Sequence, residues 1–246
     1  MRIVAPSGIH VMPPDCRPWN YEDFPSWAAT VTKGLDLCAA RLGGEWQGTH
    51  SHLIDTREVH REMFCQLTEL AHPYFAGHYR GQDHKCLRAY AVGVSNDPKV
   101  GYAPWLVDSA MKEFADEVMR TIGKADIFWQ QKGMDVPRKI LTIVRVGCRL
   151  FELFLRIHPY ANGNGHAARF LFLSLLARYE IKPKTWPVEP RPQPPYGDHL
   201  ALYRRAILGD KKASTKPFET WMLDQVVGSV ATSSPPPPSA PAPQAP

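Results

Sequence analysis

The amino-acid sequence predicts a mainly α fold, a helical bundle carrying one short β-hairpin, on three observations. From Lys139 to Ile157, Ile140, Val144, Gly147, Leu150, Phe151 and Phe154 recur at three- and four-residue steps, with Arg145, Arg149, Glu152 and Arg156 on another face, which is the period of an amphipathic helix. Phe170 to Ala177 is apolar almost all round, as expected of a helix at the centre of a bundle. Strand-type signals gather instead over Lys85 to Val94 and Val100 to Ala103, around the turn Ser95-Asn96-Asp97-Pro98.

The other elements follow in chain order. Ser26 is placed to cap a first helix whose stripe of Trp27, Val31, Leu35, Cys38 and Leu42 ends at Gly43-Gly44. A second helix is expected from Asp55, with Glu58 three residues on as in a capping box, through Val59, Met63, Leu67 and Leu70 to His72-Pro73. After the hairpin, helical patterning resumes at Ser109 to Ile122 and again from Pro137. Six prolines between Pro183 and Gly197 predict an extended connector. Asp198 then caps a helix through Leu200, Tyr203 and Ile207, and Pro217 opens a last one through Trp221 and Val226. The division predicted is an N-terminal extension over 1–25, a helical domain over 26–230 and a proline-rich, disordered tail over 231–246. A chain of 246 residues has the size of one domain plus appendages.

Composition narrows the function. The net charge of +5 is modest and Lys and Arg form no dense basic run, so no nucleic-acid partner is expected. No segment has the ~20 apolar residues of a membrane span, and Pro6, Gly8 and His10 break any apolar run at the N-terminus. No membrane association and a cytoplasmic location are the expectation. The five cysteines, Cys16, Cys38, Cys65, Cys86 and Cys148, are odd in number and widely spaced, which reads as reduced core thiols. Ten histidines include the pairs His50 with His52 and His78 with His84, but none has the spacing of a zinc site.

One stretch carries chemistry: His158-Pro-Tyr-Ala-Asn162-Gly163-Asn164-Gly165-His166-Ala-Ala-Arg169. Its glycines allow successive backbone N–H groups to point into one concavity at the start of an apolar helix, where unpaired N–H groups and the helix dipole attract an anion. His166 and Arg169, three residues apart on that helix, share a side. A guanidinium there can clamp phosphate oxygens and an imidazole can assist, while His158, just outside, is free to take a proton.

This stretch resembles the signature of the Fic (Fido) domain family of protein adenylyltransferases, whose pattern is His, any residue, aromatic, any residue, acidic residue, Gly-Asn-Gly-Arg, two residues, Arg. His158, Tyr160, Gly163, Asn164, Gly165 and Arg169 match in order without gaps. Asn162 stands for the acidic residue and His166 for the first arginine. Around residues 80–104, Gly77-His-Tyr-Arg80 and Gly101-Tyr-Ala-Pro104 are similar to the flap that precedes the motif in that family. The resemblance implies a Fic-like helical bundle that moves AMP, or a related phosphate-containing group, from ATP to a Ser, Thr or Tyr hydroxyl of a target protein docked on the flap. It assigns His158 as base, Gly163, Asn164 and Gly165 to the α- and β-phosphates, and Arg169 to the γ-phosphate, while His166, in place of the first arginine, can still donate to a β-phosphate. The acidic residue of the family binds Mg²⁺, a role for which Asn162 offers only an amide oxygen. The alternatives are a catalytically weak nucleotide- or protein-binding module and a kinase-like phosphoryl transferase. Members of the family also meet an inhibitory glutamate or an inhibitory partner protein. Ser51 and Asp55 have the spacing of the inhibitory motif, although Asp55 equally suits a helix cap.

Overall fold

The computed structural model describes residues 12–47, 49, 51–93, 97, 99–186 and 188–228. Among them eight α-helices form: α1 (Trp27–Leu42), α2 (Ser51–Ile54), α3 (Arg57–Phe64), α4 (Pro104–Trp129), α5 (Val136–Ile157), α6 (Asn164–Arg178), α7 (Tyr196–Ile207) and α8 (Lys216–Val227). The chain is mainly helical, as its periodicity predicts. The expected tail over 231–246 lies outside the described residues.

Helices α5 and α6 are the centre of the bundle, with α4 against α5, α1 against α3, and the α7–α8 pair closing the far side through α8 on α5. The two central helices approach closely because position 147 has no side chain: a Cβ on Gly147 would lie 2.4 Å from ring carbons of Phe172. Phe151, Phe154, Phe170 and Phe172 fill the surrounding space, each fully or almost fully buried, so apolar packing fixes the ends of these helices. Asp135 caps α5 by accepting from the N–H of Arg138 at 3.2 Å, and Pro137 falls in its first turn, where no N–H is needed.

Several expectations are corrected. No β-strand forms in the described part of the expected hairpin, apart from an isolated bridge residue at Asp97; residues 94–96 and 98 lie outside the described residues. Over 84–89 the chain turns, with the N–H of Leu87 on the carbonyl of His84 and that of Gly81 on the carbonyl of Leu87. The apolar residues that read as strand, Cys86, Leu87 and Tyr90, are buried as loop anchors. Gly101 and Tyr102 donate to the carbonyls of Arg156 and Ile157 at 2.9 and 3.1 Å, so this segment satisfies the end of α5. The helix expected from Asp55 to Leu70 is shorter, α3 passing into a 3-10 turn at Cys65–Leu67. Helix α4 starts earlier than the pattern suggests, with Pro104 in its first turn.

Cys16 and Cys86 are joined in a disulfide, and only Cys38 and Cys148 are buried thiols, while Cys65 is exposed. The expectation of five reduced cysteines fails because the segment before α1 is part of the packed body. Trp19 stacks on Phe75 and donates from its indole N–H to the carbonyl of Leu67 at 2.8 Å. No described helix is long and apolar enough to cross a membrane.

Candidate functional site

The loop between α5 and α6 is held in one shape by its own side chains. His158 ends α5 in the left-handed region at φ 56°, ψ 61°, with its N–H on the carbonyl of Phe154 at 3.0 Å. The carboxamide of Asn164 bonds both the N–H and the carbonyl of Tyr160 at 2.9 Å. Tyr160 is buried, its ring 3.7 Å from that of His60 and its hydroxyl 2.7 Å from Thr56. His60 accepts from the N–H of Gly77 at Nδ1 and donates from Nε2 to the carbonyl of Asn162 at 2.9 Å. That pairing requires a neutral ring, and burial pushes its pKa down to about 3. Gly163 caps α6 at φ 76°, and a Cβ there would also meet Phe64 at 2.6 Å, so both conformation and space demand glycine.

The loop opens onto a cavity of about 480 Å³ whose walls include Tyr21, Glu22, His158, Gly163, Gly165, His166, Arg169 and Glu189. This volume lies within the about 300–1,000 Å³ typical of small-molecule sites. The first turn of α6 presents the N–H groups of Asn164, Gly165 and His166, which have no acceptor within the helix. His158 Nδ1 bonds the carbonyl of Leu155 at 2.9 Å, which makes Nδ1 the donor and leaves Nε2 with a lone pair. Burial first, then the charges of Arg80 and Arg204, lower its pKa to about 4, against the hydrogen bond to Leu155 that raises it. His158 is therefore a neutral imidazole at pH 7, able to accept a proton.

Arg169 is 3% exposed. Its Nε donates to the carbonyl of Val188 at 2.6 Å, and the indole of Trp186 bonds its own carbonyl at 2.9 Å. Burial lowers its pKa, yet a guanidinium starts so high that it stays charged. Glu189 faces this clamp: its carboxylate is hydrogen-bonded to Nε2 of His166 and lies 3.8 Å from Nη2 of Arg169. Burial pushes His166 down to about 3, so a neutral ring donates its Nε2–H to the Glu189 carboxylate.

The motif residues His158, Gly163, Gly165, His166 and Arg169 thus come together on one cavity. Asn164 belongs to the same wall, but its side chain staples the loop and only its backbone faces outward. Asn162 fits a metal poorly, because its amide oxygen accepts from Gly163 N–H at 2.8 Å and its amide nitrogen faces Trp19 O and Asn20 Oδ1, each at 3.4 Å. Among the described residues no group of three or more His, Cys, Asp or Glu side chains could hold a metal ion. The side chain at position 162 does not fit a protein-bound Mg²⁺. Ser51 opens α2, and Asp55 is turned to Arg57 and to the hydroxyl of Tyr79 at 3.3 Å. It also accepts from the N–H of Arg57 at 3.0 Å, but the N-cap position of α3 belongs to Thr56, one residue on, and not to Asp55 as the sequence suggests. The carboxylate beside Arg169 is Glu189 instead.

Sequence reasoning missed three contributors. Glu189 sits in the proline-rich connector, where a lone carboxylate gives no signal. The segment Trp19 to Glu22 reads as an appendage, but Tyr21 and Glu22 line the cavity and Trp19 and Asn20 meet the amide of Asn162. Glu152, fully buried, accepts from Arg204 at 2.8 Å, and Arg204 also bonds Asp97 at 2.8 Å; this pair ties α5 to α7 beside His158. No family model and no curated protein matches this chain.

Proposed function

We propose that the chain is a Fic-like nucleotidyltransferase that moves AMP from ATP to a protein hydroxyl. The observation that carries this reading is the convergence of a neutral His158, the open N-terminus of α6 and the buried Arg169 on one cavity. In this reading the β- and γ-phosphates lie between the first-turn N–H groups of α6 and Arg169, where backbone donors and a guanidinium neutralise charge without reorganising. His158 Nε2 takes the proton of the attacking hydroxyl as it bonds to the α-phosphorus, and pyrophosphate leaves with the electrons of the broken P–O bond. Positioning supplies much of the acceleration in such a transfer. The target protein approaches from the side of Asp97 and Val100, which line the cavity at the end of the expected flap.

Glu189 must leave the clamp before phosphates enter, since a carboxylate and a phosphate repel in the same place. This contact and the neutral Asn162 favour a second reading, a binding module with weak catalysis. Incubation with target-containing lysate and ATP labelled at the α- or the γ-phosphate separates the possibilities. Label from the α-position on protein supports AMP transfer. Label from the γ-position alone makes the chain a kinase-like enzyme, and ATP binding without either label makes it a module.

A further inference from the structure

Arg80 is wholly buried, at 0% exposure, and has no part in the chemistry described above. A buried guanidinium demands compensation. Among the described residues none comes from a carboxylate. Its Nε donates to the carbonyl of His158 at 2.8 Å, its Nη2 to those of His158, Tyr102 and Ile157 at 2.7, 3.0 and 3.2 Å, and its Nη1 to that of Tyr90 at 3.0 Å. The backbone N–H of Arg80 adds a bond to the carbonyl of Pro159 at 2.8 Å. One residue therefore grips three consecutive carbonyls, those of residues 157, 158 and 159. The first two lie at the C-terminal end of α5, where helix carbonyls lack partners and the dipole favours a positive charge.

The residue so gripped is the one whose backbone is unusual. His158 has a positive φ without being glycine, a strained conformation that persists only where its surroundings over-determine it. The same turn sends the imidazole back onto the carbonyl of Leu155, which sets the tautomer that leaves Nε2 available. We propose that Arg80 is a positioning residue for His158, fixing the left-handed turn that carries the imidazole to the wall of the cavity by holding the carbonyls on either side of it. The inference rests on the reading of His158 as the base. The positive charges facing His158 are Arg80 from the segment before α4 and Arg204 from α7, so removing Arg80 leaves one of the two.

Two variants of the full chain test this. Arg80→Met removes the charge and the fork; Arg80→Lys keeps the charge but cannot reach four carbonyls in the same plane. Three quantities are read: thermal stability, the NMR titration of the His158 ring, and α-label transfer as a function of pH. In Arg80→Met the His158 midpoint should rise from about 4 by about one unit, the size expected for loss of a nearby charge, and the acid limb of transfer should rise with it. In Arg80→Lys transfer should fall at least tenfold while ATP affinity stays within about twofold. If Arg80→Met does not fold, Arg80→Lys carries the test alone. Transfer that falls only in proportion to the folded fraction, with His158 titrating as in the wild type, overturns the proposal. Should the wild type transfer nothing, the His158 titration and its ring shifts still decide whether Arg80 positions it, so this inference and the proposed function can fail separately.

Discussion

Replacing Glu189 with glutamine should tighten ATP binding, and the size of the gain follows from where the carboxylate sits. It is hydrogen-bonded to His166 and 3.8 Å from Arg169, the two side chains that would meet the phosphates. A bound phosphate must either displace this charge or lie beside it. At about 4 Å and an effective dielectric near 20, two unit charges interact by ~4 kcal/mol. The carboxylate is 18% exposed and can swing toward water, so roughly half of that is a fair expectation, or ~2 kcal/mol. This corresponds to about thirtyfold in affinity. The ion pair lost to Arg169 is long, and Arg169 keeps its bond to Val188, so the cost to the fold should be small. Calorimetry with ATP, AMP and adenosine is the assay: the gain should be largest for ATP and absent for adenosine. Equal or weaker ATP binding by Glu189→Gln would show that phosphates do not go where Glu189 now lies.

Other outcomes follow from the same geometry. Arg169→Ala should weaken triphosphate binding by a few kcal/mol, as loss of a buried charged contact does, and leave nucleoside binding intact, which the same titrations check. Asn162→Asp should destabilise the protein by about 1–3 kcal/mol, because a carboxylate would face Trp19 O and Asn20 Oδ1 in place of an amide; a urea midpoint unchanged or raised would contradict this. Gly147→Ala should cost about 1–3 kcal/mol through overpacking against Phe172, seen as a lowered Tm with helical content retained. His60 and His166 have folded pKa values near 3 and His158 near 4, all below the unfolded value of about 6.5. The unfolded chain then binds protons first, so stability is full above about pH 6.5 and falls as pH drops toward 4, by up to ~1.4 kcal/mol per group per unit. Urea midpoints at pH 7.5 and 5.5 test this, and a midpoint that holds or rises at the lower pH would refute it.

The helices were most legible where one face had to be buried. The three- and four-residue spacing around Val144, Leu150 and Phe154 marks α5, and the apolar run after Arg169 marks the central helix α6. Residues 85–103 misled because Cys86, Leu87 and Tyr90 are apolar for a different reason: they anchor a turning loop that a disulfide ties to Cys16. The motif glycines and Arg169 could be read in advance since backbone conformation and charge are local properties. Glu189, Arg80 and the Trp19–Asn20 contact could not, because they meet site residues 20 to 143 positions away and no local pattern records such a meeting. The departure at Asn162 acquires a physical reason only from Trp19 and Asn20, which present oxygens to its amide nitrogen.

The role of His158 is the most direct test of the account, and it is read by replacing His158 with alanine and measuring α-label transfer and ATP affinity on the same preparation. In the proposed reaction Nε2 of His158 faces the attacking hydroxyl while α6 and Arg169 hold the phosphates, so transfer should disappear while ATP affinity changes less than about threefold, under ~1 kcal/mol. Transfer that continues at the wild-type rate in the alanine variant would contradict the assignment of the base, and with it the claim that this cavity carries out the reaction.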